Sequence, residues 1–270
     1  HIAMAKGGRA WRGWFPLGGE LTSGRPDHKE GLSLGVDLPP DDPRVLARTP
    51  LHGANLLPAE VPRLGPLVDR YLAAATAVGQ RVLALMARAF GLADDWFAAG
   101  LTADPTVLFR IFRYPTPAID QEQDGWGVGE HTDYGLLTLL GGDDLAGLEV
   151  HTPDGWVVAP SIDGGLVCNL GDMLERMTGG AYRSTPHRVR HPAERADDRI
   201  SFPLFLDPGW DQPVRPLPGI QPSPEHRGRW DGADPLAWEG TYGDYLVAKV
   251  SRVFPQLVGT VALDTAAEEP

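Results

Sequence analysis

His131-Thr132-Asp133-Tyr134-Gly135-Leu136-Leu137-Thr138-Leu139-Leu140 sets an imidazole and a carboxylate two residues apart, just ahead of a short apolar run of β-favouring character. On extended backbone, residues two apart project to one side, so His131 and Asp133 can reach a single metal ion from one strand end. Taken alone, a His-x-Asp pair is weak. It gains weight from His187-Arg188-Val189, which follows after several predicted strands and supplies a third donor only if the sheet folds back on itself. A jelly roll does that. Two imidazole nitrogens and one carboxylate oxygen can occupy one face of an Fe(II) octahedron and leave the other positions open.

The same two-residue rule applies to Arg199-Ile200-Ser201, where a guanidinium and a hydroxyl point one way while Ile200, Phe202 and Leu204 face the opposite layer. Arg suits a two-pronged grip on a carboxylate, and Ser adds a donor. Tyr114, ending the run Val107 to Tyr114 before Pro115, is a further candidate contact to a dicarboxylate, with a plain core role equally open. Arg110 and Phe112 share strand parity with Tyr114, and Phe205 shares it with Ser201. These three are candidates for a substrate pocket.

Working outward, the period of the apolar pattern changes along the chain. From Leu64 to Phe90, apolar residues recur at three- and four-residue steps, which predicts one long amphipathic helix with Pro66 in its first turn and Gly91 as its stop. Downstream come short runs, Val107–Tyr114, Leu136–Leu140, Leu148–Thr152, Trp156–Ala159, Leu166–Leu170, His187–His191 and Arg199–Leu206, separated by Gly, Asp and Pro turns. Asp172 to Met177 reads as a helical turn closed by Gly179-Gly180, and Tyr242 to Leu257 as a final amphipathic helix. The segment His1 to about Pro58, broken by Gly and Pro pairs, reads as extended chain wrapped on a core. Asp207 to Gly240, with seven prolines and three tryptophans, reads as an irregular crossing in which Trp210, Trp230 and Trp238 want burial. The acidic stretch Asp120 to Glu130 reads as a solvated turn, with a lid as the alternative. Asp143-Asp144 reads as a turn.

The chain has 270 residues and a formal charge of −12, which disfavours non-specific binding to nucleic acid or anionic lipid and fits a small-molecule substrate. Cys168, the single cysteine, cannot form an internal disulfide and is expected to be a buried small side chain; a reducing cytoplasm is the expected compartment. Neither a membrane span nor an export signal is legible. Oligomeric state is not. No internal repeat separates the chain into parts, so it reads as one unit over 1–270: lead and long helix over 1–98, jelly-roll core over 99–209, crossing and last helix over 210–270.

Taken in order, Arg113-Tyr114-Pro115, the ten residues from His131, Gly147-Leu148-Glu149-Val150, Asn169-Leu170-Gly171-Asp172-Met173-Leu174, Ser184-Thr185-Pro186-His187-Arg188-Val189 and Arg199-Ile200-Ser201 resemble the isopenicillin N synthase-like group of non-haem iron(II), 2-oxoglutarate-dependent dioxygenases. The resemblance implies a mainly β fold, a distorted double-stranded β-helix with flanking helices. It implies Fe(II) on His131, Asp133 and His187, with His187 preferred over His191, its neighbour on the same face. Arg199 and Ser201 would hold the distal carboxylate of 2-oxoglutarate. Oxygen would be consumed, 2-oxoglutarate converted to succinate and carbon dioxide, and a C–H bond of a small metabolite oxidised by hydroxylation, desaturation or cyclisation. Two other readings stay open: an oxidase like isopenicillin N synthase itself, needing no 2-oxoglutarate, and a non-catalytic metal-binding jelly roll. Phe112 stands where many plant members have Asn, a departure at one of the group's usual contacts. Asp133 argues against the halogenating variants, which have a small residue there. The chain begins at His1 without the N-terminal strand and helix of the group, as a truncated chain would.

Overall fold

The fold is that of a computed structural model, which describes residues 2–116, 126–143, 147–159, 162–190, 197–220 and 237–255. Its strands are β1 Gly13–Phe15, β2 Leu21–Thr22, β3 Arg25–Pro26, β4 Glu30–Gly35, β5 Thr106–Tyr114, β6 Trp126–His131, β7 Leu137–Gly142, β8 Leu148–Thr152, β9 Gly155–Val158, β10 Val167–Leu170, β11 His187–Arg190 and β12 Arg199–Asp207. Among the described residues four α-helices, α1 Pro43–Leu46, α2 Leu64–Ala89, α3 Asp172–Met177 and α4 Tyr242–Val253, complete the frame. A six-stranded sheet runs β1-β4-β5-β12-β7-β10 and a four-stranded sheet runs β6-β11-β8-β9, with antiparallel pairing throughout. The architecture is the mainly β jelly roll that the sequence suggests.

Strand parity explains how the large sheet separates a packing face from a chemical one. On β12, Leu204 and Leu206 are fully buried, and α2 packs against β12, β5 and β7 with the stripe Val68, Leu72, Ala75, Gly79, Leu83 and Ala87. Gly79 lies so near Leu206 that an added Cβ would sit 2.6 Å from Leu206 Cδ2, which is why helix and sheet approach so closely there. Alternate residues, Arg199, Ser201, Pro203 and Phe205 on β12 and Leu108, Arg110, Phe112 and Tyr114 on β5, line a cavity on the other face.

Several elements depart from the sequence reading. The N-terminal segment is more than wrapped chain: β1 and β4 extend the large sheet, β4 pairing along β5 from Glu30↔Arg113 to Gly35↔Leu108. Trp126–Glu130, assigned above to a solvated acidic turn, forms most of β6 and pairs with β11; residues 117–125 lie outside the described residues. Cys168 is exposed, not buried. It lies on β10, an edge strand, with parity opposite to the cavity-lining Asn169. Helix α4 stops at Val253, short of Leu257, because Pro255 disfavours helical backbone at Phe254. Its start is fixed by a reciprocal Thr241/Asp244 capping box. Trp210 packs against the ring of His52 and Trp238 against that of Tyr245, both half-buried; Trp230 falls outside the described residues.

Candidate metal centre and cosubstrate cavity

His131 ends β6 and faces His187, the first residue of β11, as a cross-strand pair, so the third donor arrives by sheet pairing rather than by loop geometry. Asp133 follows two residues after His131. One donor atom from each of the three residues lies within 4.8 Å of the others, and they form the one such group of His, Cys, Asp or Glu side chains among the described residues. His131 Nε2 is 3.9 Å and His187 Nε2 is 3.8 Å from Asp133 Oδ1.

Each donor is oriented by a hydrogen bond on its far side. His131 Nδ1 lies 2.8 Å from the Gly129 carbonyl and His187 Nδ1 lies 3.1 Å from the Thr185 carbonyl. A carbonyl can only accept, so both Nδ1 atoms carry the proton and both Nε2 lone pairs are turned inward. Asp133 Oδ2 accepts from the Thr138 hydroxyl and the Asn169 amide, which leaves Oδ1 facing the imidazoles. Thr138 and Asn169 are directly paired across β7 and β10. Burial, then the neighbouring His187, hold the His131 pKa below its usual value, so its ring is neutral and able to ligate at pH 7. For Asp133, burial pulls upward, but the two histidines and the Thr138 and Asn169 donors outweigh it and hold the group ionised. Removing Thr138 or Asn169 (Thr138→Ala, Asn169→Ala) is expected to weaken Fe(II) affinity by about 10–100-fold with the fold retained, as such supporting partners do elsewhere. Equilibrium metal titration measures this; unchanged affinity in both variants would contradict the stated role.

The loop after the candidate donors is held from two sides. Asp172 N–H donates to the Asp133 carbonyl at 2.8 Å, and Leu136 N–H donates to Asp207 Oδ1 at 3.3 Å. Asp207 also accepts from the Tyr242 hydroxyl of α4. An added Cβ at Gly135 would collide with the Asp207 carboxyl, so no larger residue fits this turn. Burial pushes the Asp207 pKa up to about 7, with its two donors only partly opposing. The folded state therefore retains a proton that the unfolded chain releases between about pH 4 and about pH 7, and the stability this proton confers is lost as pH rises through that window. The stability of the native protein relative to Asp207→Asn is expected to fall by on the order of 3 kcal/mol from pH 4 to pH 7. Denaturant titrations at the two pH values measure it; a pH-independent difference would sink the assignment.

Arg199 and Tyr114 are cross-strand partners, and the Arg199 guanidinium lies 4.6 Å from the Tyr114 ring centre. Arg199 is 1% exposed, yet Nε, Nη1 and Nη2 have no hydrogen-bond partner among the described residues, and the equally buried Ser201 hydroxyl has none either. A buried cation without acceptors is costly, and such groups are rare in native proteins without a ligand to satisfy them. Both side chains line the cavity of about 520 Å³ that also contains His131, Asp133 and His187. Arg110, Phe112 and Phe205 line it as well. The donor set and the orphaned guanidinium fit Fe(II) and a dicarboxylate.

Sequence reasoning missed Glu20 and Lys29, which reach the cavity from the Gly- and Pro-rich lead; nothing local marks them. Of the other histidines, His52 bonds the Pro50 carbonyl, His151 packs on Trp156, and His28 is outside the donor group; His191 and His226 fall outside the described residues. Asp143 accepts from the Ile200 amide as a turn residue would; Asp144 falls outside the described residues. Among the described residues no helix is long and apolar enough to cross a membrane.

A jelly roll with this donor group defines a metal-dependent oxygenase class, and comparison with known proteins agrees. The family model of the 2OG-Fe(II) oxygenase superfamily matches residues 106–208. A Dictyostelium discoideum protein named as a probable iron/ascorbate oxidoreductase is 44% identical over 94% of this chain and 76% of its own length. A solved structure described as a putative 2OG-Fe(II) oxygenase family protein from Caulobacter crescentus is 31% identical over 91% of this chain and 76% of that one, with a TM-score of 0.72. A full-length Neurospora crassa protein, solved in complex with alpha-KG and thymine, is 26% identical over 90% of this chain and 74% of that one, with a TM-score of 0.70. The chain belongs to the 2OG-Fe(II) oxygenase superfamily, in its isopenicillin N synthase-like group. It is an Fe(II)- and 2-oxoglutarate-dependent dioxygenase that oxidises a small organic molecule.

Proposed function

We propose that His131, Asp133 and His187 hold the iron, that Arg199 and Ser201 grip the distal carboxylate of 2-oxoglutarate over the Tyr114 ring, and that the substrate lies against Arg110, Phe112 and Phe205. The observation that carries this reading is the Arg199 guanidinium, buried without an acceptor among the described residues in the cavity that also contains the three donors. When bound, Fe(II) and 2-oxoglutarate supply oxygen activation, with loss of carbon dioxide and formation of succinate.

The protein's own contribution is orientation. The Gly129 and Thr185 carbonyls fix both imidazole tautomers, and Thr138 and Asn169 aim Asp133 Oδ1 inward. Arg199 and Ser201 give the cosubstrate one seating, since charge-assisted donors in a dry site define position as well as affinity. Phe112 and Phe205 exclude water from the space beside the donors. Whether the product is hydroxylated, desaturated or cyclised depends on which C–H bond those walls present. The same reading treats residues 1–270 as one oxygenase unit working in the cytoplasm, where Fe(II) and the lone thiol stay reduced.

Single turnover with carboxyl-labelled 2-oxoglutarate tests the reading. With Fe(II) and oxygen, labelled carbon dioxide and succinate should form in equal amounts, and both should vanish when either Fe(II) or 2-oxoglutarate is withheld. Iron-dependent oxygen uptake that ignores 2-oxoglutarate would contradict it.

A further inference from the structure

A cluster of four charged side chains sits beside the donor group, and the iron and cosubstrate leave it unused. Arg110 on β5 donates through Nη1 to Glu20 Oε1; Lys29 Nζ lies 2.9 Å from Glu20 Oε2 and 2.6 Å from Asp27 Oδ2. Asp27 Oδ2 also accepts from the Thr22 hydroxyl, and Oδ1 faces the Gly129 amide at 3.5 Å. Each carboxylate oxygen of the cluster therefore faces a donor, Glu20 Oε2 meeting Lys29 as an ion pair without a hydrogen bond.

The donors are not all engaged. Arg110 Nε is buried without a partner, and Nη1 is the only Arg110 nitrogen that is hydrogen-bonded among the described residues. Nε and Nη2 form the side-on fork of a guanidinium, the edge that matches the two oxygens of a carboxylate. The Phe112, Phe205 and Phe254 rings surround the group at 5.6–6.0 Å and keep water from competing for it. Burial of a half-paired Arg is unfavourable unless an acceptor arrives. Arg110 lies four residues along β5 from Tyr114, the partner of Arg199, so the backbone positions of the two cations are about 13 Å apart along the strand and they occupy separate stretches of it.

Lys29 is matched by Asp27 at 2.6 Å and Lys249 by Asp172 at 3.6 Å, so among the cavity-lining cations it is Arg110 and Arg199 that hold buried donors with no partner among the described residues.

Resting on the cosubstrate assignment above, we propose that Arg110, anchored by Glu20 and Lys29, is the specificity residue for a substrate carboxylate, whose apolar body lies against Phe112 and Phe205. A cationic substrate pole is disfavoured here, because Lys29 and Arg110 already neutralise Glu20 and Asp27. The substrate class is thus a small organic acid with a hydrocarbon or aromatic body.

Matched probes test this under anaerobic conditions with Fe(II) and 2-oxoglutarate bound: 3-phenylpropanoate against 3-phenylpropanamide, and hexanoate against hexanamide, each by calorimetric titration. The native protein should bind each acid at least about tenfold more tightly than its amide. Arg110→Gln should abolish that preference by weakening the acids alone, Arg110→Lys should restore part of it, and 2-oxoglutarate affinity should stay the same. No preference in the native protein, or a preference that survives Arg110→Gln, overturns the proposal without use of any variant that fails to fold. A preference lost in Arg199→Met instead places the acid in the cosubstrate clamp and also overturns it. Failure of 2-oxoglutarate to bind indicts the Arg199 assignment separately, and the acid–amide comparison with Fe(II) alone then decides Arg110.

Discussion

Asp133→Ala is expected to leave a folded protein that no longer turns over 2-oxoglutarate. Its carboxylate is one of the three donors proposed to hold the iron, and the remaining imidazoles, with their Nε2 atoms 3.8–3.9 Å from the vacated oxygen, would offer Fe(II) an incomplete face. Loss of a supporting partner costs about 10–100-fold in affinity, and loss of a direct ligand exceeds that, so iron-dependent succinate formation should drop by at least about 1,000-fold. Stability of the metal-free protein should fall by about 1–3 kcal/mol, because the Thr138 and Asn169 donors lose the acceptor they share. Succinate assay and thermal melting together measure this. Full activity in Asp133→Ala would dismiss the donor assignment.

The second large effect is at Arg199. Charge-assisted hydrogen bonds contribute about 1.5–3 kcal/mol each, so Arg199→Met should weaken 2-oxoglutarate binding by about 100-fold or more. The same variant should melt higher than the native protein when both are free of cosubstrate, since it replaces an unpartnered buried cation with an apolar chain of similar length. Adding 2-oxoglutarate should reverse the order, stabilising only the native protein. A residue serving the fold alone would lower the melting temperature in every state. Lower stability with unchanged cosubstrate affinity would contradict the account.

What the sequence could and could not disclose follows from the range of the interactions involved. Helix α2 is legible because its apolar stripe repeats every three to four residues, and Arg199, Ser201, Arg110 and Phe112 are legible because strand parity is a local property. The His131–His187 pairing is long-range, and only the order of motifs in the chain suggests it. Strands β1 and β4 are hidden because they are short and interrupted by glycine, and because β4 is held by pairing with β5, far along the chain, with β1 added onto β4. Glu20 and Lys29 are hidden for the same reason. Cys168 misleads because Gly-Leu-Val-Cys-Asn-Leu has the composition of a central strand, yet β10 closes the sheet, and its outward face is left exposed. Thr138 and Asn169 stand in the quoted motifs, but only their pairing across β7 and β10 reveals that both donate to Asp133.

The most direct test is an anaerobic titration of the native protein with Fe(II), then 2-oxoglutarate, following metal stoichiometry and the weak visible charge-transfer absorption of the chelate. The expected result is one iron per chain and a band that needs both additions, is lost in His131→Ala and His187→Ala, and requires much more 2-oxoglutarate in Arg199→Met. Iron bound equally well by the histidine variants, or a band indifferent to Arg199, would show that metal and cosubstrate lie elsewhere.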